Sequence, residues 1–234
     1  MKKQQDTVFI LQVRMGSTRL PNKILLPFSE QKSILDIILE KISFTNEIIL
    51  ATTTNAKDDI IEQYALQRNL KCFRGSEHDV LARFIAATEF YHYSKIIRIC
   101  SDNPFLDKSA IHQLFEIGEN ASVDYISFRI NDLPVIKTHF GLWAEWVSLE
   151  ALKRVLAMTE NTLYREHVTN YIYEHPNLFK IHWLDVDNCL KNRYNIRLTI
   201  DTQEDFDRAS KIYAAIKHER ITIPSIVQYI DNQP

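Results

Sequence analysis

A chain of 234 residues fits one large domain, or one domain with a small extension. Its 45% hydrophobic and 25% charged residues are ordinary for a soluble globular protein able to bury a full core. A net charge of −2 argues against a general nucleic-acid binder, three cysteines in unrelated contexts argue against a disulfide framework, and no apolar run reaches transmembrane length.

The start, Met1-Lys2-Lys3-Gln4-Gln5-Asp6, is polar with no apolar signal core behind it, which together with the free thiols predicts a cytoplasmic protein. Short apolar runs then alternate with amphipathic stretches. Strands are predicted at Val8–Val13, Glu47–Ala51, Lys71–Phe73 and Lys95–Ile99, with helices at Ile34–Ile42, Asp58–Arg68 and Asp79–Tyr91 between them. This alternation predicts an α/β fold with a mostly parallel sheet covered by helices on both faces. In such sheets ligands bind beyond the carboxyl ends of the strands. The second half is less regular. Strands are expected at Tyr125–Phe128, Leu142–Val147, Phe179–Val186 and Ile196–Ile200, and helices at Leu149–Ala157, Tyr164–Tyr173 and Thr202–Ile216. Arg129–Gly141 reads as an inserted loop. No repeat, flexible linker or clear boundary divides the chain, so 1–234 reads as one domain in which 129–195 is a candidate lid or dimer arm. Only four glycines occur, so each is expected to have a backbone role; two of them, Gly16 and Gly75, lie in candidate site loops.

The first strand runs into Leu11-Gln12-Val13-Arg14-Met15-Gly16-Ser17-Thr18-Arg19-Leu20-Pro21-Asn22-Lys23. A glycine able to take positive φ lets successive N–H groups point at one anion. Arg14, Arg19 and Lys23 surround that turn with cations, and arginine can fork onto phosphate oxygens. The loop suits a polyphosphate. It has neither the Walker spacing nor Gly-x-Gly-x-x-Gly. Read without regard to a ligand, the segment is a surface turn with solvated cations.

This run resembles the N-terminal signature of the CMP-sugar synthetases, Ala-Arg-x-Gly-Ser-x-Arg/Lys-x-Pro-x-Lys. It is most similar to the spore-coat polysaccharide cytidylyltransferase-like branch, Gln-Ala-Arg-Met-Gly-Ser-Thr-Arg-Leu-Pro-Gly-Lys, with Val13 for Ala and Asn22 for Gly. Acylneuraminate and 3-deoxy-manno-octulosonate cytidylyltransferases are related. The resemblance implies a Rossmann-like nucleotide-diphospho-sugar transferase fold. It also implies transfer of CMP from CTP to a sugar acid for cell-surface polysaccharide, with release of pyrophosphate and with Mg2+. On this reading Arg14 and Lys23 act on the phosphates, and Gln12, Gly16, Ser17, Thr18 and Arg19 hold the nucleotide.

Three later segments carry the same resemblance. Ile99-Cys100-Ser101-Asp102-Asn103-Pro104-Phe105 ends a strand with an acidic turn and is similar to the family's metal-binding Gly-Asp-x-Pro-Leu, with Ser101 for Gly and Phe105 for Leu. Asp102 is therefore expected to ligate the metal and take part in catalysis; an Asx turn before proline is the other reading. Arg197-Leu198-Thr199-Ile200-Asp201-Thr202-Gln203-Glu204-Asp205 resembles Arg-x-Thr-x-Asp-Thr/Tyr-Pro-Glu-Asp, which implies Asp201 as a second metal ligand. Asp205 is read as a helix cap, from its spacing to Thr202. Phe73-Arg74-Gly75-Ser76-Glu77-His78-Asp79-Val80-Leu81-Ala82-Arg83-Phe84 resembles the stretch lining the nucleotide side of the cleft. It implies contacts from Arg74 and Arg83, while Ser76 and Asp79 also fit a helix start.

For the acceptor, Tyr164-Arg165-Glu166-His167-Val168-Thr169 resembles the branch's Arg-Glu-His-Val-Thr and implies Arg165 and His167, and Trp143-Ala144-Glu145-Trp146 adds Glu145. The resemblance further implies a homodimer through 129–195, whose Trp143, Trp146, Tyr164, Tyr171 and Tyr173 offer aromatic surface. Nucleic acid and membrane are not expected partners. The alternatives are another NTP, a phosphorylated or phosphonate acceptor, or a nucleotide-binding scaffold on the same fold.

Overall fold

The computed structural model describes residues 6–186, 188–217 and 221–233, so most of the polar start at 1–5 lies outside the described residues. Strand β1, Thr7–Gln12, is apolar and wholly buried from Val8 to Leu11, as expected of a parallel strand covered on both faces. It pairs in parallel with β4, Ile48–Thr53, and with β6, Lys95–Cys100; β5, Lys71–Gly75, extends the sheet beyond β4. On the other side β9, Glu145–Ser148, runs antiparallel between β6 and β7, Tyr125–Ile130, and β10, Ile181–Asp185, closes that edge parallel to β7. The order is β10-β7-β9-β6-β1-β4-β5, with the short β8, Leu133–Pro134, folded back on β7.

Alternation along the strands divides the core in two. Phe9, Leu11, Leu50, Ile97 and Ile99 face α1 (Ile34–Lys41), α2 (Asp59–Gln67), α4 (Lys108–Glu119), α8 (Gln203–Ile216) and α9 (Ile223–Asp231). Val8, Ile10, Ile49, Ile96, Tyr125 and Val147 face α3 (Val80–Phe90), α5 (Leu149–Met158) and α7 (Asn170–Glu174). Close packing on the first face depends on Gly118 of α4. A Cβ there would lie 2.2 Å from Nε1 of the buried Trp146, closer than any side chain can approach.

Several expectations change. Ile196–Ile200 forms no strand. Ile196, Leu198 and Ile200 are buried as the alternation required, but their backbone joins no ladder: Leu198 and Thr199 both donate to the His139 carbonyl, and Ile200 to that of Asp102. Tyr164–Tyr173 is two short helices, α6 (Thr162–Glu166) and α7, because α6 stops at His167 and its polar neighbours make local turns. Arg129–Gly141 is more than a loop. It opens on a two-residue hairpin in which Asn131 and Asp132 both take positive φ, as a turn matching strand twist requires. A second hairpin of this kind, at Glu30–Gln31, joins β2 (Pro27–Ser29) to β3 (Lys32–Ser33). Helices α4 and α9 were not read from the sequence.

The segment 129–195 supplies β9 to the middle of the sheet, with α5 and β10 besides. Contrary to expectation, Trp143, Trp146 and Tyr173 are buried within the chain's own core and offer little surface to a partner. Among the described residues no helix is long and apolar enough to cross a membrane.

Candidate active site

The carboxyl ends of β1 and β6 open onto a cleft of about 480 Å³. It is lined by Gln12 at the end of β1, by Arg14, Ser17, Thr18, Arg19 and Lys23 from the loop after it, by Arg98 and Cys100 of β6 with Ser101 and Asp102 just beyond, and by Asp201. Lys137, His167, Asn170 and Tyr173 line it as well. Segments far apart in sequence thus meet where an α/β sheet leaves room for a ligand.

The loop after β1 is built around Met15. Its N–H donates to Asp58 Oδ1 at 2.6 Å, and its carbonyl accepts from the N–H groups of Ser17 (2.9 Å) and Asn22 (3.4 Å). Asp58 is buried and also accepts from the Thr53 hydroxyl at the end of β4. Ser17 Oγ then accepts from Leu20 N at 3.3 Å. The left-handed residue is Asn22, at φ 62°, and not Gly16, whose φ is not positive. Asparagine tolerates that conformation better than most residues, which explains Asn22 where the branch signature has glycine. Around Gly16 there is open space, the nearest side-chain atom to a Cβ being Glu77 Oε1 at 3.9 Å. The expected positive-φ role of Gly16 is therefore corrected to Asn22.

Lys23 ties this loop to the acidic side. Its Nζ donates to the Ile200 carbonyl at 2.6 Å and lies 3.8 Å from Asp102 Oδ2. Asp201 receives Arg19 on one oxygen at 2.8 Å and Arg197 on the other at 2.9 Å. Burial pushes the Asp102 carboxyl up, Lys23 opposes that, and the Asp201 charge adds to it. Both carboxylates thus stand beside protein cations. Two carboxylates on one cleft are the hard oxygen donors magnesium takes alongside substrate phosphates and water, so the residues fit that ion. Among the described residues no group of three or more His, Cys, Asp or Glu side chains forms a self-sufficient metal cage.

Not every predicted residue joins the cleft. Arg74 does not line it. Its guanidinium donates to the carbonyls of Thr53 (2.9 Å) and Asn55 (3.0 Å) and pairs with Asp59 (2.7 Å) and Glu62 (3.0 Å), fastening α2 to the end of β4. Arg83 is buried under the loop. It donates to the Ser76 carbonyl, and among the described residues its Nε and one terminal nitrogen have no partner. Burial, and after it the neighbouring Arg14, pushes Arg83 down to about 10, so it stays a cation at neutral pH. Arg165 points away from the cleft. It donates to the carbonyls of Leu156 and Thr159, both at 3.1 Å, and pairs at 3.2 Å with Asp79, the N-cap of α3. Every guanidinium nitrogen is engaged, so the acceptor role is corrected to a structural one. Glu145 is buried beside the cleft, and both its oxygens are bonded, to Arg98, Tyr125 and Thr169. His167 is exposed and lines the cleft as expected. The sequence reading missed Arg98, Lys137, Asn170 and Tyr173. A charged residue within the apolar run Lys95–Cys100 was the available signal for Arg98.

Asp205 caps α8 in a capping box with Thr202 and receives Arg197 at 2.9 Å and Arg208 at 2.8 Å. The acidic run is thereby divided. Asp201 faces the cleft, while Asp205 holds the helix and the arginine behind it.

The profile of the cytidylyltransferase family matches residues 8–225. The chain is 33% identical over 218 residues to the spore coat polysaccharide biosynthesis protein SpsF of Bacillus subtilis, covering 89% of this chain and 86% of that protein. A cytidylyltransferase of Leptospira borgpetersenii has a similar structure, with a TM-score of 0.79, 26% identity and 99% of each chain covered. The fold is also that of a CMP:2-keto-3-deoxy-manno-octonic acid synthetase solved with CTP, at a TM-score of 0.66 and 12% identity over 90% of this chain and 99% of that one.

Proposed function

The chain belongs to the cytidylyltransferase family, and we propose that it transfers CMP from CTP to a sugar acid used for cell-surface polysaccharide, releasing pyrophosphate. One observation carries this reading. Arg14, Ser17, Thr18, Arg19 and Lys23 share a cleft with Asp102 and Asp201, so phosphate receptors and metal-type oxygens face the same space. The SpsF relative is a polysaccharide biosynthesis protein, and the synthetase of like fold was solved with CTP.

The triphosphate lies over residues 14–23, where Arg14 and Arg19 meet its oxygens. An acceptor hydroxyl attacks the α-phosphorus in line, the bond to the β-phosphate oxygen breaks, and pyrophosphate leaves. Arg14 and Lys23 neutralise charge developing on the leaving phosphates, the main lever in phosphoryl chemistry. Asp102 and Asp201 would hold magnesium, which supplies further positive charge to the phosphates when bound. Arg19 and Arg197 hold Asp201 in position until then. A cytoplasmic homodimer belongs to the same reading; among the described residues, the exposed large apolar side chains of the 129–195 segment are Met158, Leu163, Leu178 and Tyr194. Light scattering tests that assembly.

Pyrophosphate release from each of the four NTPs, against a panel of sugar acids and phosphorylated alcohols, tests the function. Release with CTP and a sugar acid is expected. Release with another NTP, or with a phosphorylated alcohol alone, would overturn the assignment while leaving the fold intact.

A further inference from the structure

Arg98 lies in the middle of β6, on the face shared by Ile96 and Cys100 and directly opposite Glu145 in the adjacent strand β9. Its side chain is only 7% exposed, yet it lines the cleft. Both oxygens of Glu145 are engaged. One oxygen takes Arg98, and the other takes the hydroxyls of Tyr125 and of Thr169, the latter at 3.0 Å. Arg98 is not saturated. A single terminal nitrogen meets Glu145, and Nε is buried with no partner among the described residues. A buried ion pair of this kind stabilises a fold little compared with an apolar pair of equal shape, but it fixes the direction of a planar guanidinium.

The sheet order gives this group a place. β6 stands between β1, which leads to the phosphate loop, and β9. The cleft is also lined by Lys137, Glu166, His167, Asn170 and Tyr173. Lys137 lies 3.1 Å from Glu174 and 5.1 Å from the centre of the Tyr173 ring, at the edge of the same space. The cleft therefore holds two cationic side chains that do not belong to the loop after β1, Arg98 and Lys137, each paired with a carboxylate.

We propose that Arg98, oriented by Glu145, receives the carboxylate of the acceptor, with Lys137 as the outer cation of that subsite. The inference rests on the reading of the chain as a CTP-dependent enzyme acting on a sugar acid, and it names the residues that select an acid. A fork of N–H groups matches a carboxylate in two parallel bonds, and a site shielded from water strengthens them. Glu145 is then a positioning residue, whose charge is offset by Arg98 and whose two oxygens are already engaged.

The test uses the full chain with saturating CTP, and 3-deoxy-manno-octulosonate and N-acetylneuraminate as probes, each as the free acid and as its carboxamide. Turnover is measured where it occurs, and calorimetric binding to the CTP-loaded protein where it does not. The wild type is expected to favour one acid over its amide by about tenfold or more, and Arg98→Gln to lower that ratio below about threefold. The Kd for CTP should move by less than about twofold. Should Arg98→Gln fail to fold, the pair Arg98→Gln with Glu145→Gln removes the orphaned charge and takes its place. An acid-to-amide ratio unchanged in the variant, no acid preference in the wild type, no binding of either acid, or CTP affinity falling in step would each overturn the proposal. Failure of the wild type to bind CTP would instead bring down the nucleotide reading, and titration of the acids onto the free protein would still decide the subsite.

Discussion

The backbone N–H of Met15 and the buried carboxylate of Asp58 meet at 2.6 Å and join the loop after β1 to the loop after β4. Arg14, Arg19 and Lys23 sit on that loop, so their positions depend on a carboxylate that does not itself line the cleft. A backbone donor held by a charged acceptor is a strong restraint, and Thr53 completes the acceptor's environment.

Asp58→Ala is expected to destabilise the protein by about 1–3 kcal/mol, since it leaves the Met15 N–H and the Thr53 hydroxyl without their partner. CTP affinity should fall as well, because the loop loses its anchor. Asp58→Asn retains an oxygen for Met15 and should restore most of the affinity. Thermal melting followed by calorimetry with CTP checks this, and wild-type affinity in the alanine variant would remove the anchoring role.

From β1 to β6, apart from the short hairpin of β2 and β3, the elements were legible because each strand is an apolar run and each helix keeps a helical period. Val8–Leu11 is continuously apolar, and Ile61, Tyr64 and Ala65 share one helical face. The second half was harder because its contacts are not local. Ile196, Leu198 and Ile200 alternate as a strand would, yet only His139 and Asp102, far away in sequence, decide where their backbone bonds go. The cleft itself followed from the motifs after β1 and β6 and before α8. What sequence does not carry is side-chain direction. Arg74 and Arg165 stand in matching motifs, but their guanidinium groups are consumed by nearby carbonyls and carboxylates. The sequence did carry the Asn22 substitution, and its left-handed φ explains it after the fact.

Asp102→Asn and Asp201→Asn are each expected to abolish magnesium-dependent turnover, because a hard cation prefers a charged oxygen. Their stabilities should part only slightly from wild type. Asp201 pairs with Arg19 and Arg197 in partly exposed positions, where such pairs contribute about 0–1 kcal/mol. Activity assayed across magnesium concentrations, with melting curves without ligand, measures both. Retained turnover with a large loss of stability would assign the two carboxylates to turn and cap alone.

Arg165→Ala should act on stability and leave substrate constants alone. It removes two hydrogen bonds to carbonyls at the C-terminal end of α5 and the pair with Asp79 at the start of α3. The expected loss is about 1–3 kcal/mol in urea unfolding. The KM values for CTP and for the acceptor should stay within about twofold of wild type. A rise in the acceptor KM alone, with unchanged stability, would return Arg165 to the substrate.

Asp205 gives the protein a pH dependence of known sign. Burial alone would raise its carboxyl, but hydrogen bonds from Arg197, from the backbone of Asp201 and from Thr202 outweigh burial and hold it well below the usual carboxylate range. A folded-state value below the unfolded value means that the unfolded chain binds the proton first as acid is added. The stabilisation is then complete above the unfolded carboxylate value of about 4 and fades as the pH falls further toward the folded value. Asp205→Asn should therefore be less stable than wild type at neutral pH, by about 1–3 kcal/mol. The gap should narrow steadily below about pH 4, where the wild-type carboxylate begins to lose its advantage. Unfolding by urea at a series of pH values follows the gap directly. A difference that stayed constant into acid would mean that the shape of the cap, and not the charge held by Arg197, stabilises the start of α8.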